Sequence, residues 1–215
     1  MHRARLPKIF QPFRCQSLVR LGKNHDGGYL VNSQDIAKAQ RLLSFGIGTD
    51  TSFEQDFVDL NACAVDAYDA SVDATDFFVG NRTHYKQNVS SKNLPIQGSD
   101  LFLKCDIEGG EYEILDQVIL HSHKFVGMAF EFHNINQAGN FDALVNFIGK
   151  IDQKLVHLHV NNYFYYIDGD RRIPDILELT FTASSNTLYD PQLTLPHSLD
   201  MTNNPQDQEF HIVFD

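Results

Sequence analysis

The sequence has no tryptophan and only three cysteines, Cys15, Cys63 and Cys105. Their number is odd and none stands in a C-x-x-C spacing. That argues against a disulfide framework and a zinc site, and it suits a reducing compartment. No apolar run is long enough to cross a bilayer, and residues 1–15 lack the apolar middle of a signal peptide. No membrane insertion is expected, and the expected location is cytoplasmic. Positive charge is scarce: 17 Lys and Arg stand against 28 Asp and Glu, a formal net charge of -11. Surfaces that bind nucleic-acid phosphates are usually basic, so no nucleic-acid partner is expected. Only the first 25 residues lean basic, through Arg3, Arg5, Lys8, Arg14, Arg20 and Lys23.

What is present is an ordinary globular composition, 42% hydrophobic and 21% charged over 215 residues. It suits one domain spanning 1–215 with a sizeable core. Residues 1–25 read as an irregular N-terminal segment, because Pro7 and Pro12 interrupt regular elements. Asp26-Gly27-Gly28 is a turn leading into a short strand, either a plain hairpin or an edge that touches a ligand. Arg41–Phe45 is an apolar strand running into Gly46-Ile47-Gly48-Thr49-Asp50, after which Phe53, Phe57 and Leu60 recur at helical spacing. In strand, glycine turn and helix, the backbone approaches a ligand closely and a helix N-terminus faces it, although G-x-G alone is a weak signal. Residues 62–68 (ACAVDAY) form a second buried strand ending at Asp69, 23 residues after Gly46. An acid there is placed to hold the ribose hydroxyls of a nucleotide-type cofactor, and equally to cap a helix. Asp66, in mid-strand, is a weaker candidate. Residues 72–100 are polar, with a short third strand near 82–87.

Residues 101–115, LFLKCDIEGGEYEIL, organise the rest. An apolar strand ends in a turn that carries Asp106, Glu108 and Glu111 around two glycines, and a helix follows over 111–121. Buried charge is costly, and ligands of open parallel sheets sit beyond the carboxyl ends of the strands. These acids therefore mark a ligand site. The next strand, 126–132, brings Glu131 and then His133 to one side, two residues apart. A helix over 141–151 precedes a strand at 155–162 that carries His157 and His159 on one face. A tyrosine-rich segment, 163–167, then leads into a turn at Asp168-Gly169-Asp170. The last strands, 176–181 and 210–214, lack a crossover helix, so they are expected to pair antiparallel. The expected fold class is α/β, a Rossmann-like methyltransferase fold. It has a mostly parallel central sheet, antiparallel C-terminal strands, and helices on both faces.

Lys104-Cys105-Asp106-Ile107-Glu108-Gly109-Gly110-Glu111 resembles the K-x-D-x-E-G-x-E signature of the FkbM-type methyltransferases, which use S-adenosylmethionine. The segments DGGYLV (26–31), SFGIGTDTSFE (44–54), HLHVNNY (157–163), PDILELT (174–180) and LDMTNNP (199–205) are similar to one branch of that family. The likeness runs in order from about residue 21 to the C-terminus, with one departure. Many methyltransferases carry an acid two residues before the first glycine, where this chain has Ser44.

The resemblance implies methyl transfer, to a hydroxyl of a sugar, glycan or small metabolite. It implies that Gly46, Gly48, Thr49, Asp69, Asp106, Asp26 and Tyr29 bind the cofactor. Asp106, His133 and Glu131 become the catalytic candidates, His133 as general base because imidazole titrates near neutrality. Glu108, His159 and Asn161 are expected on the substrate side, and Glu111 as a helix-start acid. Asp106, Glu131 and His133 also offer a ligand set for a divalent Mg or Mn ion. Two other enzymes stay open on such a sheet. One is a metal-dependent hydrolase using Asp106, Glu131, His133, His157 and His159. The other is a nicotinamide-dependent oxidoreductase, against which Thr51 stands where a third glycine is required. A catalytically silent binding module is a further alternative.

Overall fold

The computed structural model describes residues 2–169 and 171–215, so Asp170 of the expected turn lies outside the described residues. The chain opens with β1 (His2–Leu6), β2 (Leu18–Gly22), β3 (Gly28–Asn32) and α1 (Ser33–Lys38). The alternating part follows as β4 (Arg41–Phe45), α2 (Ser52–Leu60), β5 (Ala64–Tyr68), β6 (Arg82–Tyr85) and β7 (Leu101–Cys105). It continues with α3 (Glu111–Leu120), β8 (Phe125–Phe132), α4 (Asn140–Lys150) and β9 (Lys154–Val160). The chain closes with a hairpin of β10 (Tyr165–Asp168) and β11 (Arg171–Pro174), then β12 (Leu177–Thr182) and β13 (Phe210–Phe214).

Seven strands form the central sheet in the order β6-β5-β4-β7-β8-β12-β9. All neighbours from β6 to β8 pair parallel, and β12 lies antiparallel between β8 and β9. The chain winds outward from β4 to β6, then returns to β7 and winds the other way. The strand order therefore reverses between β4 and β7, which opens a crevice beyond their carboxyl ends. This is the Rossmann-like methyltransferase fold.

Strand alternation sends the two faces to different helices. Leu43, Leu103 and Phe130 pack with Ile114, Val118, Leu144 and Phe147 of α3 and α4. Leu42, Phe102 and Ala129 pack with Ile36, Phe53 and Phe57 of α1 and α2, and with Tyr29 and Val31 of β3. Side chains alternate along a strand, so Ser44, Lys104 and Glu131 point to the second face, where the cover is the β2–β3 hairpin. That hairpin brings Tyr29 against Lys104, Glu131 and, just past the end of β7, Asp106, and the site grows from this contact.

Two expectations are corrected. Residues 1–25 are not irregular throughout. β1 pairs parallel with β13, and β2 pairs antiparallel with β3, because β1 ends before Pro7 and β2 begins after Pro12, and β1 buries Ala4 and Leu6 at alternate positions. The strand at 210–214 is likewise outside the central sheet, and its pairing is parallel; only β12 supplies the antiparallel member. All three cysteines are free, and no helix among the described residues is long and apolar enough to cross a membrane.

Candidate active site

A cavity of about 740 Å³ opens at the crevice. Its wall carries seven acidic side chains (Asp26, Asp50, Glu54, Asp106, Glu108, Glu131 and Asp175) against Lys23 and Lys104. An excess of carboxylates in a partly dry space favours a cationic or neutral ligand over an anion.

The glycine loop enters first. Gly46 has φ +73° and a Cβ there would lie 1.6 Å from the carbonyl oxygen of Asp106, so this glycine is fixed by the close packing of β4 on β7. Gly48, at φ +52°, would place a Cβ in open space, which leaves its side of the loop free for a ligand. Asp69 holds the loop from below. Its Oδ2 accepts from the amides of Ile47 (3.1 Å) and Gly48 (2.9 Å), and its Oδ1 from the amide (2.7 Å) and hydroxyl (2.6 Å) of Ser71. Burial works to raise its pKa, but the hydrogen bonds from Ser71 and the loop amides outweigh it and hold the carboxyl below its usual range. The four lone-pair positions are thus occupied, and Asp69 is not on the wall of the cavity. No helix follows it to be capped.

The acidic turn comes next. Glu111 is fully buried, and its Oε1 accepts from the amides of Ile107 (3.0 Å) and Gly109 (3.2 Å). The same oxygen lies 3.2 Å from His133 Nδ1. Glu111 is therefore the helix-start acid the sequence suggests, and it also orients the imidazole. Glu108 adopts φ +55°, a region unfavourable to a side chain, and its carboxylate is mostly exposed with Oε2 3.5 Å from His133 Nε2.

Asp106 and Glu131 meet on one hydroxyl. Tyr29 Oη lies 2.9 Å from Asp106 Oδ2 and 2.7 Å from Glu131 Oε2. A phenol has one proton to give, so one of the carboxyls must carry a proton of its own. Burial first, and then the negative charges of Asp106 and Glu178, push Glu131 up to about 8. Glu131 therefore holds the proton at neutral pH and donates to Tyr29, which donates to Asp106. The other oxygen of Glu131 accepts from Asn161 Nδ2 (2.7 Å), whose amide also reaches Asp26 Oδ1 (3.2 Å). Asp106 Oδ1 makes no hydrogen bond among the described residues and lies 3.9 Å from His133 Nε2. That gap is too long for a direct bond, yet one hydroxyl oxygen about 2.8 Å from each would fit at an angle of about 90°.

His133 differs from expectation in its charge. Burial disfavours the imidazolium, but the hydrogen bond with Glu111 and the charges of Glu131, Glu111 and Asp106 outweigh it and raise the group to about 9. At neutral pH both ring nitrogens carry protons, so in the ligand-free protein His133 is a donor and not a base. His159 is corrected outright. It is buried off the cavity, with Nδ1 3.2 Å from Glu178 and Nε2 3.1 Å from Glu209. His157 faces Asp200 at 2.9 Å, equally remote. The hydrolase constellation is thus dispersed. The expected metal set is not assembled either, since Tyr29 and Asn161 occupy the oxygens of Glu131. Asp106, Glu108 and His133 each place one ligand atom within 4.8 Å of the others, so Glu108 and not Glu131 completes the set that the geometry brings together.

Two residues on the wall escaped the sequence reading. Lys104, buried in mid-strand, donates to the Gly46 carbonyl and lies 3.5 Å from Asp106 Oδ2. Burial opposes its charge, but Asp106, Glu54 and Glu131 raise its pKa overall. Glu54, on the apolar face of α2, accepts from Ser44 at 2.5 Å and leaves Oε2 buried without a partner. The acid absent at position 44 is thus delivered through space by Glu54. A lysine inside an apolar strand and a glutamate on an apolar helix stripe were the signals available.

No family model matches this chain, and no curated protein matches it. Solved structures are similar to it in fold. An rRNA methylase from Streptococcus thermophilus shares 12% identity with a TM-score of 0.42, over 71% of this chain and 94% of that one. The 23S rRNA methyltransferase ErmE shares 8% with a TM-score of 0.44, over 74% and 69%. The N-terminal domain of human METTL16, in complex with SAH, shares 11% with a TM-score of 0.39, over 70% and 64%. Likeness at this level carries nothing about the reaction or substrate.

Proposed function

We propose that this chain is an S-adenosylmethionine-dependent methyltransferase of the FkbM type that methylates a hydroxyl of a sugar, glycan or small metabolite. The observation that carries the reading is one acid-rich cavity at the strand-order reversal, lined by Asp106, whose Oδ1 makes no hydrogen bond among the described residues, and by Glu54, whose buried Oε2 has no partner. S-adenosylmethionine is a cation at its sulfur and at its amino group, and when bound it supplies an activated methyl group. The residues fit it. Glu54 and Asp26 line the cavity as acceptors for the ammonium, and Gly48, where a Cβ would meet nothing, and Thr49 line it from the loop. Asp69 keeps the loop in shape; a ribose would have to exchange for the Ser71 hydroxyl to be held by it.

The chain's own groups then divide the work. The acceptor hydroxyl sits between Asp106 Oδ1 and His133 Nε2. Asp106, held in place by Tyr29 and Lys104, takes or orients its proton. A cation bound nearby disfavours the imidazolium, lowering the pKa of His133 toward neutrality and restoring its capacity as a base. Glu131, neutral and locked by Tyr29 and Asn161, is a positioning residue. Alignment of donor and acceptor of this kind supplies up to roughly 7–11 kcal/mol. Thermal unfolding with added S-adenosylmethionine or S-adenosylhomocysteine tests the reading. At a hundred times Kd a ligand specific for the folded state adds about 2.7 kcal/mol, a rise of roughly 5–10 °C for a chain of this size. No shift with either compound refutes it.

A further inference from the structure

The cavity shares a wall with a second one. His133, Asn134, Asp175 and Ile176 line the first, while the residues beside them in the chain, Ile135, Asn136, Ile173 and Pro174, line a groove of about 430 Å³. Asn136 ties the two segments together through the Pro174 carbonyl (2.6 Å) and Asp175 Oδ1 (3.0 Å). The far side of the groove belongs to β1, which packs beside β11.

Four arginines line this groove: Arg3 and Arg5 from β1, and Arg171 and Arg172 from β11. Arg5 is paired with Asp215 at 3.1 Å. Arg3 and Arg171 are exposed, and among the described residues their side chains make no hydrogen bond or ion pair. Arg172 keeps its Nε buried without a hydrogen-bond partner. Among the described residues Asp215 is the one acid in ion-pair contact with these four guanidinium groups; Asp168 stands across the hairpin from Arg171, and Asp207 reaches Arg172 only through the Tyr165 hydroxyl, in a chain whose net charge is -11. Like charges brought together on an acidic protein repel unless an anion joins them, and guanidinium forks match phosphate oxygens in pairs. The floor, with Leu6, Ile135 and Phe141, is apolar, which suits an organic ligand with a non-polar or ring portion beside its charge.

We propose that this groove binds a phosphate or diphosphate group of a small organic ligand. Such a group has two sources, the methyl acceptor itself or a free nucleotide that regulates the chain. The first rests on the methyltransferase reading, because the acceptor would then extend across the shared wall, with its phosphate on the arginines and its hydroxyl between Asp106 and His133.

Calorimetric titration with inorganic pyrophosphate and with UDP-glucose, at a constant ionic strength of about 0.1 M, tests the site. The wild-type chain is expected to bind both. An R3A/R171A variant, which removes two exposed and unpaired side chains, is expected to bind each at least about tenfold more weakly while holding S-adenosylhomocysteine unchanged. Absence of pyrophosphate binding by the wild type, or equal binding by the variant, overturns the proposal. So does a preference for a short RNA over both probes that the variant abolishes, since the groove would then serve a polymer. The imidazole resonances of His133 separate the two sources. They move with UDP-glucose but not with pyrophosphate if the ligand spans both cavities, and they stay still with both if the group belongs to a free effector. Failure of S-adenosylhomocysteine to bind the wild type would remove the methyltransferase reading and leave the arginine site standing.

Discussion

The proton shared at Tyr29 gives the sharpest prediction, through Glu131→Gln. The ordinary pKa of the glutamate is 4.5, and burial beside Asp106 and Glu178 pushes it up to about 8 in the folded protein. A carboxyl whose folded pKa is raised contributes stability that is fully present below the unfolded value and is lost as pH rises through the folded one. Between 4.5 and about 8 the folded chain holds a proton that the unfolded chain releases, so wild-type stability falls across that window. At about 1.36 kcal/mol per unit, the loss is about 3 kcal/mol by pH 7 and nearly 5 by pH 9. Glutamine keeps the donor toward Tyr29 and the acceptor toward Asn161 but cannot ionise. E131Q should therefore differ little from wild type at pH 4.5, apart from a constant offset for its second amide hydrogen. It should gain on wild type by about 3 kcal/mol at pH 7, or roughly 6–12 °C in Tm. Calorimetric unfolding of both proteins from pH 4.5 to 9 measures the difference. A difference that stays flat over this range would show that Glu131 is ionised throughout, and the proton would have to be sought on Asp106 or nowhere.

The remaining predictions concern its neighbours. Gly46→Ala should destabilise by more than about 3 kcal/mol, since its Cβ would meet the Asp106 carbonyl at 1.6 Å, whereas Gly48→Ala should cost only about 1 kcal/mol for its positive φ; urea unfolding ranks the two. His133 should titrate near 9 in the ligand-free chain. By NMR its pKa should drop further with S-adenosylmethionine than with S-adenosylhomocysteine, which lacks the sulfonium charge, and equal drops would place the sulfur elsewhere. His159→Asn should cost about 3–5 kcal/mol, because it leaves Glu178 and Glu209 facing each other without their buried cation. It should leave S-adenosylhomocysteine affinity intact, and a parallel loss of affinity would return His159 to the site.

Periodicity carried most of the central sheet. The runs at 41–45, 101–105 and 125–132 are mostly apolar on both faces because both are covered, and such runs are the mark of a parallel sheet; Ser44, Lys104 and Glu131 interrupt them only where they approach the site. The pairing of β1 was hidden. It joins only β13, on a sheet of two strands, so it carries no long apolar signal, and Pro7 and Pro12 suggested a coil; the strand at 210–214 was legible, but its parallel partner was not. At the site, residues that reach the cavity from their own strand end were legible: Asp106, Glu131 and His133. Glu54 and Lys104 were not, because each acts through a partner on another element, Ser44 of β4 for one and Gly46 of the loop after β4 for the other. His159 misled for a related reason. Its strand position, two residues from Asn161, faces the same side as Glu131 across β12, but Glu178 stands between them and turns the imidazole toward Glu209.

The acidic turn at 106–111 is best understood as three carboxylates in three dielectric settings. Glu111, fully buried, spends its Oε1 on two backbone amides and on His133. Those bonds fix the turn and charge the imidazole. Glu108 is mostly exposed at a strained φ, where solvent screens its charge and its Oε2 adds only a weak pull on His133. Asp106 lies between these extremes, anchored by Tyr29 and Lys104 at one oxygen and open at the other. A ligand hydroxyl therefore finds a fixed acceptor in Asp106 and a fixed donor in His133, while Glu131 holds its proton one layer behind. The spacing of the three acids is what separates these roles. A carboxylate at the strand end reaches the cavity, one on the turn reaches solvent, and one on the first turn of the helix reaches back to the amides.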